Sequence, residues 1–445
     1  MLFFMITDLE RTFDVAVVGG GVGGVSAALG AARAGAQTIL IEKSRLVGGT
    51  GVHSPVGLVC TYCDANERPI NRGVHEEYVP YIYRPKGPRY CQTYDEADLL
   101  QKYESLLAAE ANITVLTDTA VTDAPRSGRE ITSAVTTRGA VSAKVYIDST
   151  AEGFLAAVAG ASFEKGRAKD GKMQPSTLTF RVNNVDFSKF GIDTGDPEWL
   201  TWPSIMGMWE QMAPYYDDLR KSGGTGNPRD GVLCFPDRFG TTLLFNQTCI
   251  RDVDSTSPTD VERARKEGEK QVHEFWNAVS QHPAFANAGP IIISPWLGVR
   301  EGRRVLGDYV LTAEDCLAEA RFDDMVAAGA YFVDVHDPDT GYAELVPIPG
   351  SGYYHIPYRC LIARDLDNLL LGSRCISGTH EAHGSYRVMS TVSAIGQAAG
   401  VAAALSAQHG SIRSIRSEWI RHELKKQGQF VEGARNPAPP RAGTP

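Results

Sequence analysis

The segment Arg374-Cys375-Ile376-Ser377-Gly378-Thr379-His380-Glu381-Ala382-His383-Gly384-Ser385-Tyr386-Arg387 carries the densest set of groups able to move protons and hold negative charge. Histidine titrates near neutrality, so His380 and His383 are candidates for the base and the proton carrier in a reaction that removes an O–H or N–H proton. Arg374 and Arg387 suit carboxylate or other anionic oxygens, because a guanidinium offers a fixed fork of N–H donors. The competing role, hydrogen bonds that only knit a loop together, weighs more for His380 than for His383. A His-x-x-His pair also suits a metal ion, but no nearby third ligand accompanies it, so no metal is expected.

A second cluster is Trp296-Leu297-Gly298-Val299-Arg300-Glu301-Gly302-Arg303-Arg304. Arginines beside one glutamate suit a buried ion-pair network or anion recognition. Arg300 is expected in the substrate pocket, and structure is at least as good a role as function for Arg303 and Arg304. Tyr353-Tyr354-His355-Ile356-Pro357-Tyr358 is expected either to line the same cleft or to pack in the core. Cys60-Thr61-Tyr62-Cys63 has the spacing of a redox dithiol.

These groups need a scaffold, and the chain begins with a recognisable one. An apolar strand (Val15, Ala16, Val17, Val18) runs into Gly19, Gly21 and Gly24 and then a small-residue helix. A second apolar run, Thr38 to Ile41, stops at Glu42 and is followed by Gly48-Gly49. This is a complete dinucleotide-binding βαβ unit. Gly19 makes the tight turn, Gly21 admits a pyrophosphate to bare backbone, and Gly24 lets helix pack on sheet. Glu42 is placed to accept hydrogen bonds from a ribose hydroxyl.

With the Gly48-Gly49-Thr50 turn just past Glu42, the chain resembles FAD-dependent oxidoreductases of the glutathione-reductase-like type with two dinucleotide-binding domains. Val145-Tyr146-Ile147-Asp148-Ser149-Thr150-Ala151-Glu152-Gly153 looks like the family's return strand and turn, where Asp-Ala-Thr-Gly is the commoner form. Asn368 through Arg374 resembles its closing strand, and Ser393 to Leu405, with Gly396-Gln397, its last helix, whose N-terminus faces the flavin pyrimidine. The resemblance implies FAD contacts from Gly19, Gly21, Gly24, Glu42, Lys43, Gly48, Gly49, Thr50, Val121, Ser149, Thr150, Gly372, Arg374, Gly396 and Gln397. It also sets the 374–387 segment beside the isoalloxazine, which makes His380, His383, Arg300 and Arg387 the expected catalytic group. His53 follows the flavin-facing turn, but its position does not match a histidyl-flavin pattern, so FAD is expected to be noncovalent.

The fold class this implies is α/β: a discontinuous Rossmann-like FAD-binding domain with a parallel sheet, and an inserted α+β substrate domain. The expected boundaries are 12–165 and 354–430 for the FAD domain, 166–353 for the insertion, and 431–445 for a disordered tail. Within the insertion a strand is expected over 175–182, a helix from a cap near Ser257 to about Val279, and another over 313–328. Gly223-Gly224-Thr225-Gly226 reads as a loop. No second strand-GxGxxG-helix unit follows, so electrons are expected from the organic substrate rather than a nicotinamide. A chain of 445 residues, 43% hydrophobic, can bury a large core. Its net charge of −9 gives little support to nucleic-acid binding. The apolar start, Met1 to Ile6, lacks the basic flank of a signal peptide, no stretch is read as membrane-spanning, and a cytoplasmic protein is expected. The expected activity is hydride transfer from a polar small molecule (sugar, polyol, hydroxy acid or amine) to flavin N5, with oxygen, a quinone or a protein as electron acceptor. The alternatives are a disulfide-type reductase using Cys60 and Cys63, and a noncatalytic FAD-binding subunit.

Overall fold

The computed structural model describes residues 11–60, 63–78, 82–83, 91–196, 198–221, 231–237 and 239–432, with 82–83 and 91–92 described as backbone only. Met1 to Ile6, Gly223 to Gly226, Thr61 and Tyr62, and the tail beyond 432 lie outside the described residues. Strand β1 (Phe13–Val18) feeds helix α1 (Val22–Arg33), and β2 (Thr38–Ile41) follows. The four residues of β2 are all buried, as a strand covered on both faces requires. Helix α2 (Glu96–Ala109) starts at Asp95, whose carboxylate accepts from the Ala97 and Asp98 amides, and leads to β3 (Ile113–Leu116). After a three-stranded antiparallel sheet that begins at Val121, the chain returns through β4 (Ala143–Asp148).

A second core begins at β5 (Phe180–Asn183) and takes in α3 (Trp202–Lys221), β6 (Cys234–Pro236), β7 (Thr242–Phe245), α4 (Pro258–Val279) and β8 (Ile292–Ile293). The strands form one antiparallel sheet in the order β6-β7-β5-β8. The expected helix over 257–279 is present, with Ser257 accepting from the Asp260 amide and proline in its first turn. The expected strand over 175–182 is shorter: Ser176 and Thr177 make isolated bridges, and regular pairing starts at Phe180.

The expected helix over 313–328 is corrected. Helix stops at Leu317 after a Thr312/Asp315 capping box, and Glu319 turns the chain at φ +52°. The alanine-rich remainder becomes β9 (Met325–Gly329), followed by β10 (Val333–His336) and β11 (Tyr354–Pro357), which pairs antiparallel with β9. Tertiary pairing overrides alanine's helix propensity here. The interval 166–353 also divides in its packing. Phe180 to Phe285 form the second core, whereas Val305, Leu311, Val326 and Val333 pack into the first.

Strand β12 (Leu369–Leu371) completes a five-stranded parallel sheet in the order β12-β4-β1-β2-β3. Then come α5 (His380–Tyr386), α6 (Met389–His409) and α7 (Ser417–Lys426). Helix α6 starts at Met389 rather than Ser393 and is long and apolar enough to cross a membrane, contrary to the expectation that no stretch would be. It is nonetheless buried in the core against α1. Its contact with α1 is unusually close: a Cβ on Gly396 would lie 2.1 Å from the Gly23 carbonyl oxygen, and one on Gly400 2.0 Å from that of Ala27.

Candidate functional site

The carboxyl ends of β1, β2, β4 and β12 converge on the start of α1, where an α/β sheet binds a dinucleotide. Gly19 has φ +98°, and a Cβ there would sit 2.8 Å from the Ser149 carbonyl. A Cβ on Gly24 would lie 1.7 Å from the Gly19 oxygen, and one on Gly49 2.8 Å from the Gly21 Cα. Gly21 and Gly48 form a parallel bridge, so the second glycine turn lies against the first. No side chain caps α1, which leaves its first-turn amides and dipole for an anion. This backbone cradle fits a pyrophosphate. Glu42 lies at the end of β2, accepting from the Gly20 amide at 2.6 Å and the Ser44 amide at 2.8 Å. A carboxylate has lone pairs to spare for a ribose hydroxyl. Ser149 and Gly372 meet beside this cradle, with Ser149 Oγ donating to the Gly372 carbonyl at 3.3 Å. The Thr119 amide donates to the Glu42 carbonyl at 3.0 Å, which brings the chain entering Val121 alongside. Lys43 is exposed, with Nζ 5.5 Å from the Trp296 ring centre, and Thr50 opens the short turn Thr50–His53.

The remaining expected cofactor contacts have other partners. Thr150 donates through N–H and Oγ1 to Asp148, tying the turn after β4. Burial raises the Asp148 pKa to about 6, against the opposing effect of these bonds. Arg374 donates to Glu152 at 2.6 Å, and Glu152 accepts from Ser255 at 2.7 Å. Gly396 faces α1, and Gln397 accepts from the Val74 amide at 3.1 Å and donates to Gln427, so both serve packing in the middle of α6. Small residues at cofactor-like spacing are here required by backbone contact between helices.

The polar site lies around α5. Glu301, fully buried, pairs with Arg304 and accepts from the Gln174 amide at 3.0 Å. His380 Nδ1 is 2.9 Å from the same carboxylate, and its Nε2 is buried with no hydrogen-bond partner. Arg304 also donates to the Gly378 and Gly166 carbonyls, at 3.0 and 2.8 Å. His383 is 1% exposed, and neither ring nitrogen has a hydrogen-bond partner. Its pKa is held well below 6.5 by burial and then by Arg304, Arg387 and Arg374. Arg387 donates to Asp334 at 2.9 Å, and His336 stands 3.3 Å from that carboxylate. Burial lowers the His336 pKa to about 4, with Arg300 and Arg387 assisting and Asp334 opposing. Arg300 donates to the Pro175 carbonyl at 2.6 Å.

The expected group of His380, His383 and Arg387 therefore gathers on and beside one short helix. Asp334, His336 and Glu301's hold on His380 were not anticipated. The Glu301 motif was visible, but Asp-Val-His on a short strand carries no signal. Tyr354 and Tyr358 are core residues, bonded to Ser385 and to the Ile412 carbonyl, and do not line a cleft. His53 stacks on Trp296 at 4.1 Å.

The family described as FAD dependent oxidoreductase matches residues 14–424, and the chain belongs to it. It is an oxidoreductase that uses FAD. Solved structures similar to the chain include a flavin-dependent brominase, Bmp2 (13% identity, 94% of this chain and 84% of that one, TM-score 0.45). Others are a geranylgeranyl bacteriochlorophyll reductase-like protein from Thermoplasma acidophilum (14%, 94% and 84%, 0.43) and glycine oxidase from Bacillus cereus (11%, 95% and 100%, 0.41).

Proposed function

We propose that this flavoenzyme oxidises a polar small molecule at a carbon bearing an O–H or N–H group, with His380 as the base. The observation that carries this reading is the buried His380–Glu301 contact of 2.9 Å. Glu301, paired with Arg304, offers His380 an acceptor oxygen, which fixes the hydrogen of His380 on Nδ1. The lone pair then sits on Nε2, the nitrogen left without a partner, in position to accept a proton. Arg387 and Arg300 favour charge that develops on the substrate oxygen or nitrogen as the proton leaves. FAD, when bound along the Gly19–Gly24 cradle and Glu42, supplies the acceptor for the hydrogen lost from carbon and its two electrons. Oxygen, a quinone or a protein then takes those electrons onward.

Anaerobic titration of the FAD-loaded protein with sugars, polyols, hydroxy acids and amines tests the reading. One class should bleach the flavin absorbance, and His380→Ala should bleach far more slowly with FAD still bound. Bleaching by nothing would return the protein to the noncatalytic alternative. One observation favours a second reading: Ser390 Oγ donates to the Cys60 carbonyl at 3.0 Å, setting Cys60 beside the start of α6. Full turnover in Cys60→Ser would reject a dithiol mechanism.

A further inference from the structure

Buried polar atoms without partners are scarce in folded proteins, and each asks for an explanation. Among the described residues such atoms occur at several places, and six of them fall within residues 374–387: Arg374 Nε, Ser377 Oγ, His380 Nε2, both ring nitrogens of His383 and Arg387 Nε, with Asp334 Oδ1 another beside Arg387. Guanidinium nitrogens can only donate, and they carry positive charge. An anion with acceptor oxygens satisfies the two guanidinium Nε–H groups, while the lone pair on His380 Nε2 calls for an O–H or N–H donor beside it.

The three arginines around His383 are not equivalent. Arg304 has Nε, Nη1 and Nη2 all engaged, by Gly378, Glu301 and Gly166. Arg374, in the turn after β12, is held through Nη2 alone, by a Glu152 that is itself tied to Ser255, and its Nε–H is left over. Arg387 is likewise gripped through Nη2 alone, by Asp334, with the Nε–H left over. Asp334 is backed by His336, so the pair orients the Arg387 guanidinium without saturating it. Arg387 follows α5, which begins at His380, so the anion site and the proposed base lie at the two ends of one two-turn helix.

We infer that the substrate carries a carboxylate, bound by Arg387, with its O–H or N–H on the adjacent carbon facing His380; 2-hydroxy acids and 2-amino acids have this form. This rests on the role of His380 proposed above. Asp334 and His336 are positioning residues, because they act through Arg387.

The test uses the FAD-loaded protein and follows the flavin absorbance while adding pyruvate, 2-oxobutyrate or phenylpyruvate, each against its own amide. The amide keeps the shape and removes the charge. At least one acid should perturb the spectrum at about 10- to 100-fold lower concentration than its amide, the range expected for losing charge-assisted hydrogen bonds. Arg387→Met should erase that preference with FAD content unchanged, and Arg387→Lys should retain part of it. Because Arg387→Met leaves Asp334 buried without its cation, the double variant Arg387→Met/Asp334→Asn provides a second, charge-balanced comparison. Acid and amide responding alike, or no response to any acid, overturns the inference. Variants that hold FAD more weakly, yet keep the acid preference once reconstituted with excess FAD, also overturn it, by assigning Arg387 to the cofactor. Failure of the oxidation reading looks different: acids still perturb the flavin, yet no hydroxy or amino acid bleaches it.

Discussion

Where α1 and the glycine turn leading into it meet each other, β4, β12 and α6, the closest approaches are backbone to backbone, at 1.7 to 2.8 Å from where a Cβ would stand. Around α5, apart from Gly384 against the Asp334 backbone, the decisive contacts are made by side chains, and several of their polar atoms are left over. The two regions adjoin but obey different rules. The cradle is specified by the absence of side chains, so it tolerates almost no addition. The α5 site is specified by particular functional groups, so single replacements should change chemistry while the surrounding fold survives.

The largest effect expected from this contrast is Gly24→Val. Its side chain would collide with the Gly19 carbonyl, costing at least about 3 kcal/mol of stability and abolishing FAD retention. Flavin content and thermal unfolding measure both, and a stable, yellow variant would break the comparison. His380→Ala comes next. Flavin reduction should slow by about 100- to 10,000-fold with FAD still bound, as read by stopped-flow absorbance.

Acid should act through buried histidines, two of which, His336 and His383, lie at the α5 site. Burial lowers the pKa of His336 and His355 to about 4, of His75 to about 3, and of His383 well below 6.5. The unfolded chain binds these protons near pH 6.5 and the folded chain does not, so stability falls as pH drops from 6.5 towards 4. Asp148, raised to about 6, works in the opposite direction over part of that window, one group against four. Melting measured across the window should fall by roughly 2 to 4 kcal/mol equivalent between pH 6.5 and 5.5. A flat profile would contradict the neutral burial of His383. The smallest effect is Glu42→Ala, which should weaken FAD by about 1.5 to 3 kcal/mol in an equilibrium titration. Unchanged affinity would remove Glu42 from the cofactor site.

The same contrast explains what could be read before folding was seen. The βαβ unit is legible because Gly19, Gly21, Gly24 and Glu42 lie within two dozen residues and each answers a local steric or electrostatic demand. Helix α4 is legible because its serine cap and N-terminal proline are adjacent signals. The role of Asp334 is not, because its partner lies 53 residues away and nothing near it in the chain announces the pairing. Met325–Gly329 reads as helix by composition and becomes strand only when residues 354–357 supply its partner. Gly396 shows a different limit: glycine required by a neighbouring helix and glycine required by a cofactor leave the same mark in sequence.

The pairing of α1 with α6 also sets an order of events during synthesis. Residues 22–33 leave the ribosome early, but the helix that covers them ends at residue 409. At the usual 5 to 20 residues per second, α1 waits about 20 to 75 s for its partner. Over that interval a glycine- and alanine-rich segment that is almost wholly buried in the finished protein has no mate, so the nascent chain must rely on chaperones, or on provisional contacts, until residues 389–409 emerge.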